Sequence, residues 1–456
     1  MSSTLRRELG VTSAVVLVVS NMIGTGIFTT TGFLAGDLGR PVLVLGIWAV
    51  AALIALAGCV SYAELGINFP HSGGEYVYLR EAWGAAWGFL SGWVSFFAGF
   101  SAPIAAAALA FSQYFARFLP SLGLASPQNA WLRWLPIDNT RLLSALIIVC
   151  FALVNAVGLR RAAYLLNFLT ALRVAALGAF LVLAFTVGHG SWTNFHLPAS
   201  RTSPHSVGAQ FAVSLIFVMF AYSGWNAANY VAEEMKAPEQ RLPVVAVLGT
   251  VVVAVLYVGL NAAFLYALPL ESLKGVITVG TAAANALFGA KGGAVFTGVI
   301  AAGLLATIGA ISLAGPRVYY AMGRDGCFPG GTARIHPRWQ TPSRAILYQA
   351  IASIAMVLTG TFESLIYYVG FALTLFSALA VAGVLRMRKR SQWRPLRAVS
   401  WCYPAVPVAF LLASLWMLAW TLMLRPRESA IGLLTVGAGA LLYRWKFRQR
   451  SVKRAP

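Results

Sequence analysis

The stretch Val19–Phe28 carries residue types suited to holding a small polar solute, because Ser, Asn, Thr and two glycines interrupt an apolar segment there. Glycines two residues apart do not share one helix face, as those of a close-packing GxxxG motif do. Backbone N–H and C=O groups freed at membrane depth are costly unless protein or solute satisfies them. We therefore expect a helix break at Gly24–Gly26 that forms half of a solute-binding site.

A second polar, glycine-containing interruption falls in the other half of the chain, at Phe220–Asn226. Matching interrupted segments in two halves favour a transporter built from inverted repeats. A broken helix exposes N–H groups that suit a carboxylate and C=O groups that suit an ammonium, and an α-amino acid carries both. The alternative is an aromatic packing cluster, which Asn226 and the polar run after it disfavour. Phe220 is then expected to close over the solute as a gate.

Charged residues in or near apolar segments are the other candidates for function. Arg173 lies inside an apolar segment, where an unpaired charge is costly, so it is expected to face the protein interior; snorkelling from an edge is the alternative. A guanidinium does not deprotonate in proteins, so Arg173 could replace a bound cation but could not shuttle a proton. Glu64 is either functional or a snorkelling or capping group. Glu233 and Glu234 are candidate inner gates or structural pairs.

Composition identifies an integral membrane protein. The chain has 456 residues, of which 59% are hydrophobic and 10% charged, whereas soluble domains carry about 25% charged residues. The net charge of +21 would suggest nucleic acid in a soluble protein, but 24 of the 34 Lys and Arg residues fall in the even-numbered loops and tails. That asymmetry predicts both termini in the cytoplasm and no nucleic-acid partner. Two roles are open for the basic run Arg444–Arg448: contact with anionic lipid, or only orienting the protein in the membrane and keeping it soluble.

The apolar windows predict an all-α protein of about twelve transmembrane helices in a single transporter domain. The first and sixth helices are expected to be discontinuous. The parts are a first repeat at 11–187, a second repeat at 207–390, two further helices at 402–446 and a basic cytosolic tail at 447–456.

Catalytic and metal-binding patterns are missing from the apolar segments. All five histidines fall in loops or at their edges, and the four cysteines show no pairing or metal spacing. We therefore expect no cofactor, no metal and no enzymatic activity. A membrane-embedded enzyme would need a catalytic His or paired carboxylates at the membrane surface. A channel would need polar stripes along a pore.

Five motifs in order resemble the amino acid–polyamine–organocation superfamily, and most closely its L-type amino acid transporter branch. They cover essentially the whole chain and lie at Ile23–Phe28, Ser61–Leu65, Pro70–Tyr76, Phe220–Met235 and Arg317–Gly326. The resemblance implies a LeuT-type fold of two inverted five-helix repeats plus two helices, working by alternating access.

The resemblance also implies a substrate site. The amino-acid carboxylate would lie at Thr25, Gly26 and nearby amides, and the ammonium at carbonyls of Phe220, Ala221 and Ser223, with Asn226 steadying the unwound segment. The implied substrate-binding residues are Ile23, Gly24, Thr25, Gly26, Phe220, Ala221, Ser223 and Asn226; the implied gates are Phe220, Glu64, Glu233 and Glu234.

Three departures from the family pattern refine these expectations. Arg173 matches a position where many relatives have a Lys in place of a sodium ion, which argues against both sodium and proton coupling there. The outer loop 120–140 has no cysteine, so no disulfide-linked heavy subunit is expected. Ser223 stands where relatives often have Gly, which narrows the pocket or adds a hydroxyl contact.

The combined expectation is a sodium-independent transporter in the cell membrane that exchanges or facilitates neutral L-amino acids. The two interrupted stretches hold no acidic residue that would favour a cationic side chain. Proton-coupled symport and cationic amino-acid or polyamine transport are the alternatives.

Overall fold

A computed structural model of the protein describes residues 10–69, 74–119, 138–157, 160–230, 232, 235–324, 326, 328, 331–400 and 402–447. Most of the loop 120–140, the gate candidates Glu233 and Glu234, and the tail beyond 447 therefore lie outside the described residues. The helices are α1 (Val11–Met22), α2 (Gly26–Leu38), α3 (Pro41–Asn68), α4 (Glu75–Trp83), α5 (Ala85–Val94), α6 (Ala102–Phe118), α7 (Asn139–Val157), α8 (Arg160–Thr186), α9 (Val207–Tyr222), α10 (Ala227–Tyr230), α11 (Pro238–Ala267), α12 (Leu270–Leu273), α13 (Val279–Arg324), α14 (Ser343–Thr359), α15 (Phe362–Met387), α16 (Arg397–Ser400), α17 (Ala405–Leu424) and α18 (Pro426–Leu442).

The described part of the chain is helical, without a strand, and its helices are long and apolar enough to cross a membrane repeatedly. Eight pass that test singly, and the pair α1 and α2 makes a ninth span when counted as one. The helices α9 and α14 are apolar but shorter. This confirms a multi-span, all-helical membrane protein; the count of twelve and the two-repeat layout stay predictions.

Both predicted helix breaks are present. The valine-rich α1 ends at Met22, the chain turns through three residues, and α2 starts at Gly26 with its axis bent by 43°. In the second half, α9 ends at Tyr222 and α10 begins at Ala227. Gly224 between them has a φ of 102°, a conformation that L side chains rarely adopt. The glycine thus permits the turn that ends α9.

A third irregularity lies in the span made by α5 and α6. A π-helical segment, Ser95–Ser101, separates the two helices, and Pro103 follows in the first turn of α6. Single-turn π segments are frequent at functional sites, because they redirect backbone groups and side chains. This π-helical segment was not predicted from the residue pattern.

Helix packing places the breaks at the centre of the molecule. The helix α2 packs on α9, α1 on α11, and α15 on both α6 and α9. In the apolar window of each span, the buried share is 72% for Ala85–Phe118 and 67% for α15, but only 17% for α7. The span Ala85–Phe118 and α15 are therefore interior elements, and α7 lies at the periphery.

Candidate functional site

A cavity of about 480 Å³ lies between the two breaks, within the range of small-molecule sites. Both breaks, the π-helical segment and the helices α13, α15 and α17 contribute to its wall. The lining includes Asn21, Gly24, Thr25, Gly26, Glu75, Ser95, Phe100, Phe220, Ala221, Ser223, Asn226, Tyr230, Thr307, Ala314, Thr374 and Ser377. Elements from both halves of the chain thus enclose one site.

The two breaks are in direct contact through their glycines. A Cβ on Gly26 would lie 2.6 Å from the Cα of Ala221, and one on Gly224 would lie 2.9 Å from the backbone of Asn21. Gly24 instead has nothing closer than 4.0 Å. Close packing therefore explains Gly26 and Gly224, while Gly24 leaves open space beside the cavity.

Tyr257 of α11 joins the breaks from behind. Its hydroxyl donates to the carbonyl oxygen of Met22 at 2.7 Å and lies 3.2 Å from that of Ala221. The side chain is fully buried. Sequence reasoning missed this residue, although a tyrosine in the middle of the apolar run of α11 was a usable signal.

The helix ends at the first break offer backbone groups of both signs. Thr25, which precedes α2, makes no side-chain cap for its first amides. The hydroxyl of Thr29 donates to the carbonyl oxygen of Thr25 at 3.0 Å. Since α1 ends and α2 begins at the cavity, carbonyl and N–H ends meet there. Such an arrangement can bind a zwitterion.

Seven of the eight predicted substrate-binding residues line the cavity, and the exception is Ile23, which is buried but not part of the wall. Phe220 lines the cavity and is 8% exposed. Asn226 lies at the end of the second break, where the N–H of Asn229 donates to its carbonyl oxygen at 3.0 Å. The geometry brings the predicted set together; the binding and gating roles stay predictions.

Arg173 lies in α8 and is 2% exposed, so it faces the protein interior and does not snorkel. Its guanidinium donates to the carbonyl oxygens of Gly303 at 3.1 Å and Ser20 at 3.3 Å, and to the hydroxyl of Thr307 at 2.5 Å. Ser20 precedes the first break and Thr307 lines the cavity. Arg173 therefore places a fixed positive charge behind the cavity wall, against both α1 and α13.

Glu64 is fully buried near the end of α3 and lies outside the cavity wall. Its carboxylate accepts two hydrogen bonds from Arg388, at 2.6 and 2.7 Å, one from the indole of Trp393 at 2.8 Å, and one from the N–H of Leu396 at 3.1 Å. The hydrogen bond with Glu64 raises the pKa of Arg388. The snorkelling alternative for Glu64 is wrong, because the segment after α15 encloses its carboxylate.

Glu75 is the acidic residue that sequence reasoning left out of the site. It begins α4, in what reads as a connection between spans, yet it is only 8% exposed and lines the cavity. The hydroxyl of Tyr62 donates to its Oε1 at 2.7 Å, the amide of Asn226 at 3.3 Å and the hydroxyl of Ser377 at 3.4 Å. The two breaks hold no acidic residue, but the cavity that they form is lined by one, Glu75.

The cavity is closed on the side where α2 ends. Three carbonyls of α2 and its C-cap, at Gly32, Gly36 and Gly39, accept backbone hydrogen bonds of 2.8 to 2.9 Å from two connections that cover the helix. Phe33 stacks on Phe217 with ring centroids 5.2 Å apart.

On the opposite side, lining residues reach solvent. Tyr230 is 43% exposed, and Asn21 and Ala314 are also exposed. The cavity thus has one sealed and one open end, which agrees with a carrier whose two gates are never open together.

Comparison with known proteins identifies the family. A family model described as "Amino acid permease" matches residues 9–434. The chain is 30% identical over 449 residues to the "Large neutral amino acids transporter small subunit 2" of Mus musculus, covering 96% of this chain and 81% of the mouse protein, and 30% identical to its Homo sapiens counterpart over 96% and 80%. It is 28% identical to the mouse "b(0,+)-type amino acid transporter 1", over 97% of this chain and 88% of that protein. The chain belongs to the amino acid permease family, and it is an amino-acid transporter of the membrane.

Proposed function

We propose that the protein exchanges neutral L-amino acids across the cell membrane by alternating access, without sodium. The observation that carries this proposal is the convergence of two helix breaks from opposite halves of the chain on one cavity open at one end. The substrate carboxylate would bind the N-terminal end of α2, and its ammonium the carbonyls around Phe220, Ala221 and Ser223. Phe220 would cover the bound solute.

Arg173 supports sodium independence. Its guanidinium already donates to carbonyls beside the first break and on α13, where a coupling cation would need free oxygens. A second positive charge at that place is disfavoured by Coulomb repulsion. Because arginine keeps its proton, it supplies the charge permanently.

The preference for neutral substrates rests on similarity to a transporter named for large neutral amino acids.

The membrane layout that we propose is a single domain of twelve spans in two inverted repeats at 11–187 and 207–390, with both termini in the cytoplasm. The open end of the cavity then faces the cytoplasm. No disulfide-linked subunit is proposed, since the segment 120–140 has no cysteine.

Counterflow tests the proposal. Purified protein in liposomes is expected to take up a radiolabelled neutral amino acid only when unlabelled amino acid is present inside. Replacing sodium by choline on both sides should leave the rate unchanged. Uptake driven by a pH gradient alone, with empty liposomes as the background, would instead establish proton symport.

A further inference from the structure

We propose that the Glu75 carboxylate is a charge-selecting site of the cavity, which binds either a proton or the cationic side chain of a substrate amino acid. On this view, acidic conditions favour neutral amino acids and basic conditions admit cationic ones. The inference rests on the proposed transport of amino acids through this cavity and adds a substrate class to it.

The position of Glu75 is held from three sides. Tyr62 comes from α3, Asn226 from the end of the second break and Ser377 from α15, and all three donate to the same carboxylate oxygen, Oε1. Asn226 also belongs to the predicted substrate site. The carboxylate is therefore placed against the segment expected to hold the amino-acid backbone.

The charge of Glu75 is not balanced by its described neighbours. The titratable groups that face it are the phenols of Tyr62, Tyr78 and Tyr230, and within the described ranges no Lys, Arg or His pairs with it. An ionised carboxylate buried without a counter-charge is destabilised by several kcal/mol. A proton or a substrate cation removes that penalty, and the residues that the structure describes supply neither.

The expected response to pH follows from this balance. Burial raises the pKa of the Glu75 carboxyl, and the hydrogen bonds from Tyr62, Ser377 and Asn226 act in the opposite direction but do not cancel it. Below that pKa the site is neutral and a neutral side chain meets no buried charge. Above it the anion attracts an ammonium or guanidinium. The side-chain charge of lysine stays constant over this range, because its pKa is about 10.4.

The test compares lysine and leucine counterflow in liposomes at equal internal and external pH, between about pH 5.5 and about pH 8. In the unmodified protein the lysine-to-leucine rate ratio should rise with pH, by up to about tenfold for each pH unit below the pKa of the Glu75 carboxyl, since the ionised fraction of one carboxyl grows tenfold per unit there. Glu75→Gln should hold the ratio at its low value at every pH, and the loss of its pH dependence is the readout whatever the leucine rate of the variant. Glu271 is an exposed acid that interacts with Ser200 and Lys274. The control variant Glu271→Gln should therefore behave like the unmodified protein.

The outcomes separate this inference from the function it rests on. Leucine counterflow with a ratio that does not change with pH, or that Glu75→Gln leaves unchanged, overturns the inference alone. No counterflow of either amino acid in the unmodified protein overturns the proposed function and the inference with it. If Glu75→Gln is not recovered folded, thermal unfolding of the unmodified protein decides: lysine should stabilise it more at the higher pH, and equal shifts at both pH values overturn the inference.

Discussion

Glu64 and Glu75 lie on either side of one connection, near the end of α3 and at the start of α4, and both are buried, yet their partners differ. Glu64 pairs with Arg388 and accepts further N–H donors from the segment after α15. Glu75 receives only hydroxyl and amide donors from its described neighbours. The first region, which we name the inner clamp (Glu64, Arg388, Trp393 and Leu396), balances its charge within the fold. The second, the central cavity, does not.

The difference separates stability from function. A buried charge with its own partner stabilises one packing and loses that stability when a partner is removed. A buried polar group left without a counter-charge is instead available to a ligand. Substitutions in the inner clamp should therefore act on folding, and those in the central cavity on transport.

Glu64→Gln should have a large effect on stability. The amide cannot neutralise Arg388, whose side chain is only 12% exposed, and removing one partner of a buried pair costs about 3–5 kcal/mol. Unfolding of the purified protein in detergent by heat or denaturant measures the loss.

The matched control is Glu239→Gln. Its pair with Arg394 has the same 2.6 Å separation, but the side chains are 58% and 66% exposed, so the loss should be within about 1 kcal/mol. Similar losses in both variants would show that Glu64 is not a clamp.

Arg173 tests the boundary between the two regions, because it has partners within the fold yet lies behind the cavity wall. Arg173→Ala removes the fixed charge and the donors to Ser20 and Gly303. Hydrogen bonds from charged groups contribute about 1.5–3 kcal/mol, so counterflow should fall by about tenfold or more. Arg173→Lys keeps the charge and should retain more of the rate. Counterflow that is indifferent to Arg173→Ala would refute the assigned role.

Phe220→Ala should reduce transport more than folding. The ring lines the cavity, and losing its apolar cover over the substrate should cost about 1.5–3 kcal/mol of binding, which is roughly ten- to hundredfold in half-saturation concentration. Phe217→Ala is the contrast, since Phe217 packs in the sealed end against Phe33 and Tyr367 and should lose about 3–5 kcal/mol of stability. An unchanged half-saturation concentration in well-folded Phe220→Ala would rule out the gate.

The broken helices could be predicted from the sequence, but the side chains that pack against the breaks could not. Gly24–Gly26 and Phe220–Asn226 interrupt apolar runs, and an interrupted run is a local pattern that any reader of the chain can detect. Glu75 reaches the cavity, and Tyr257 the carbonyls behind it, only through packing of α3, α4 and α11 around the breaks. No local pattern marks such long-range contacts, and a charged residue in a glycine-rich connection reads as a solvent-exposed one.

The same reason explains Glu64 and Arg173. The cost of a charge in an apolar segment predicted the burial of Arg173 and left that of Glu64 open, and it predicted the partners of neither. Arg388 is more than three hundred residues after Glu64 in the chain, and Gly303 is 130 residues after Arg173. Which charge is balanced within the fold and which is left for a ligand depends on these distant contacts.

Tyr257→Phe should give the smallest effect, and it tests whether the cavity's backbone needs support from outside the breaks. The substitution removes only the hydroxyl that reaches Met22 and Ala221, and a hydrogen bond of this kind contributes about 0.5–1.5 kcal/mol. Tyr222→Phe removes one hydroxyl bond to the carbonyl of Trp48 and touches neither break's carbonyl. Both variants should lose similar stability, but only Tyr257→Phe should raise the half-saturation concentration for substrate, by a factor of about 2 to 10. Equal half-saturation concentrations in the two variants would mean that Tyr257 stabilises packing alone and that the carbonyls at the breaks keep their positions without it.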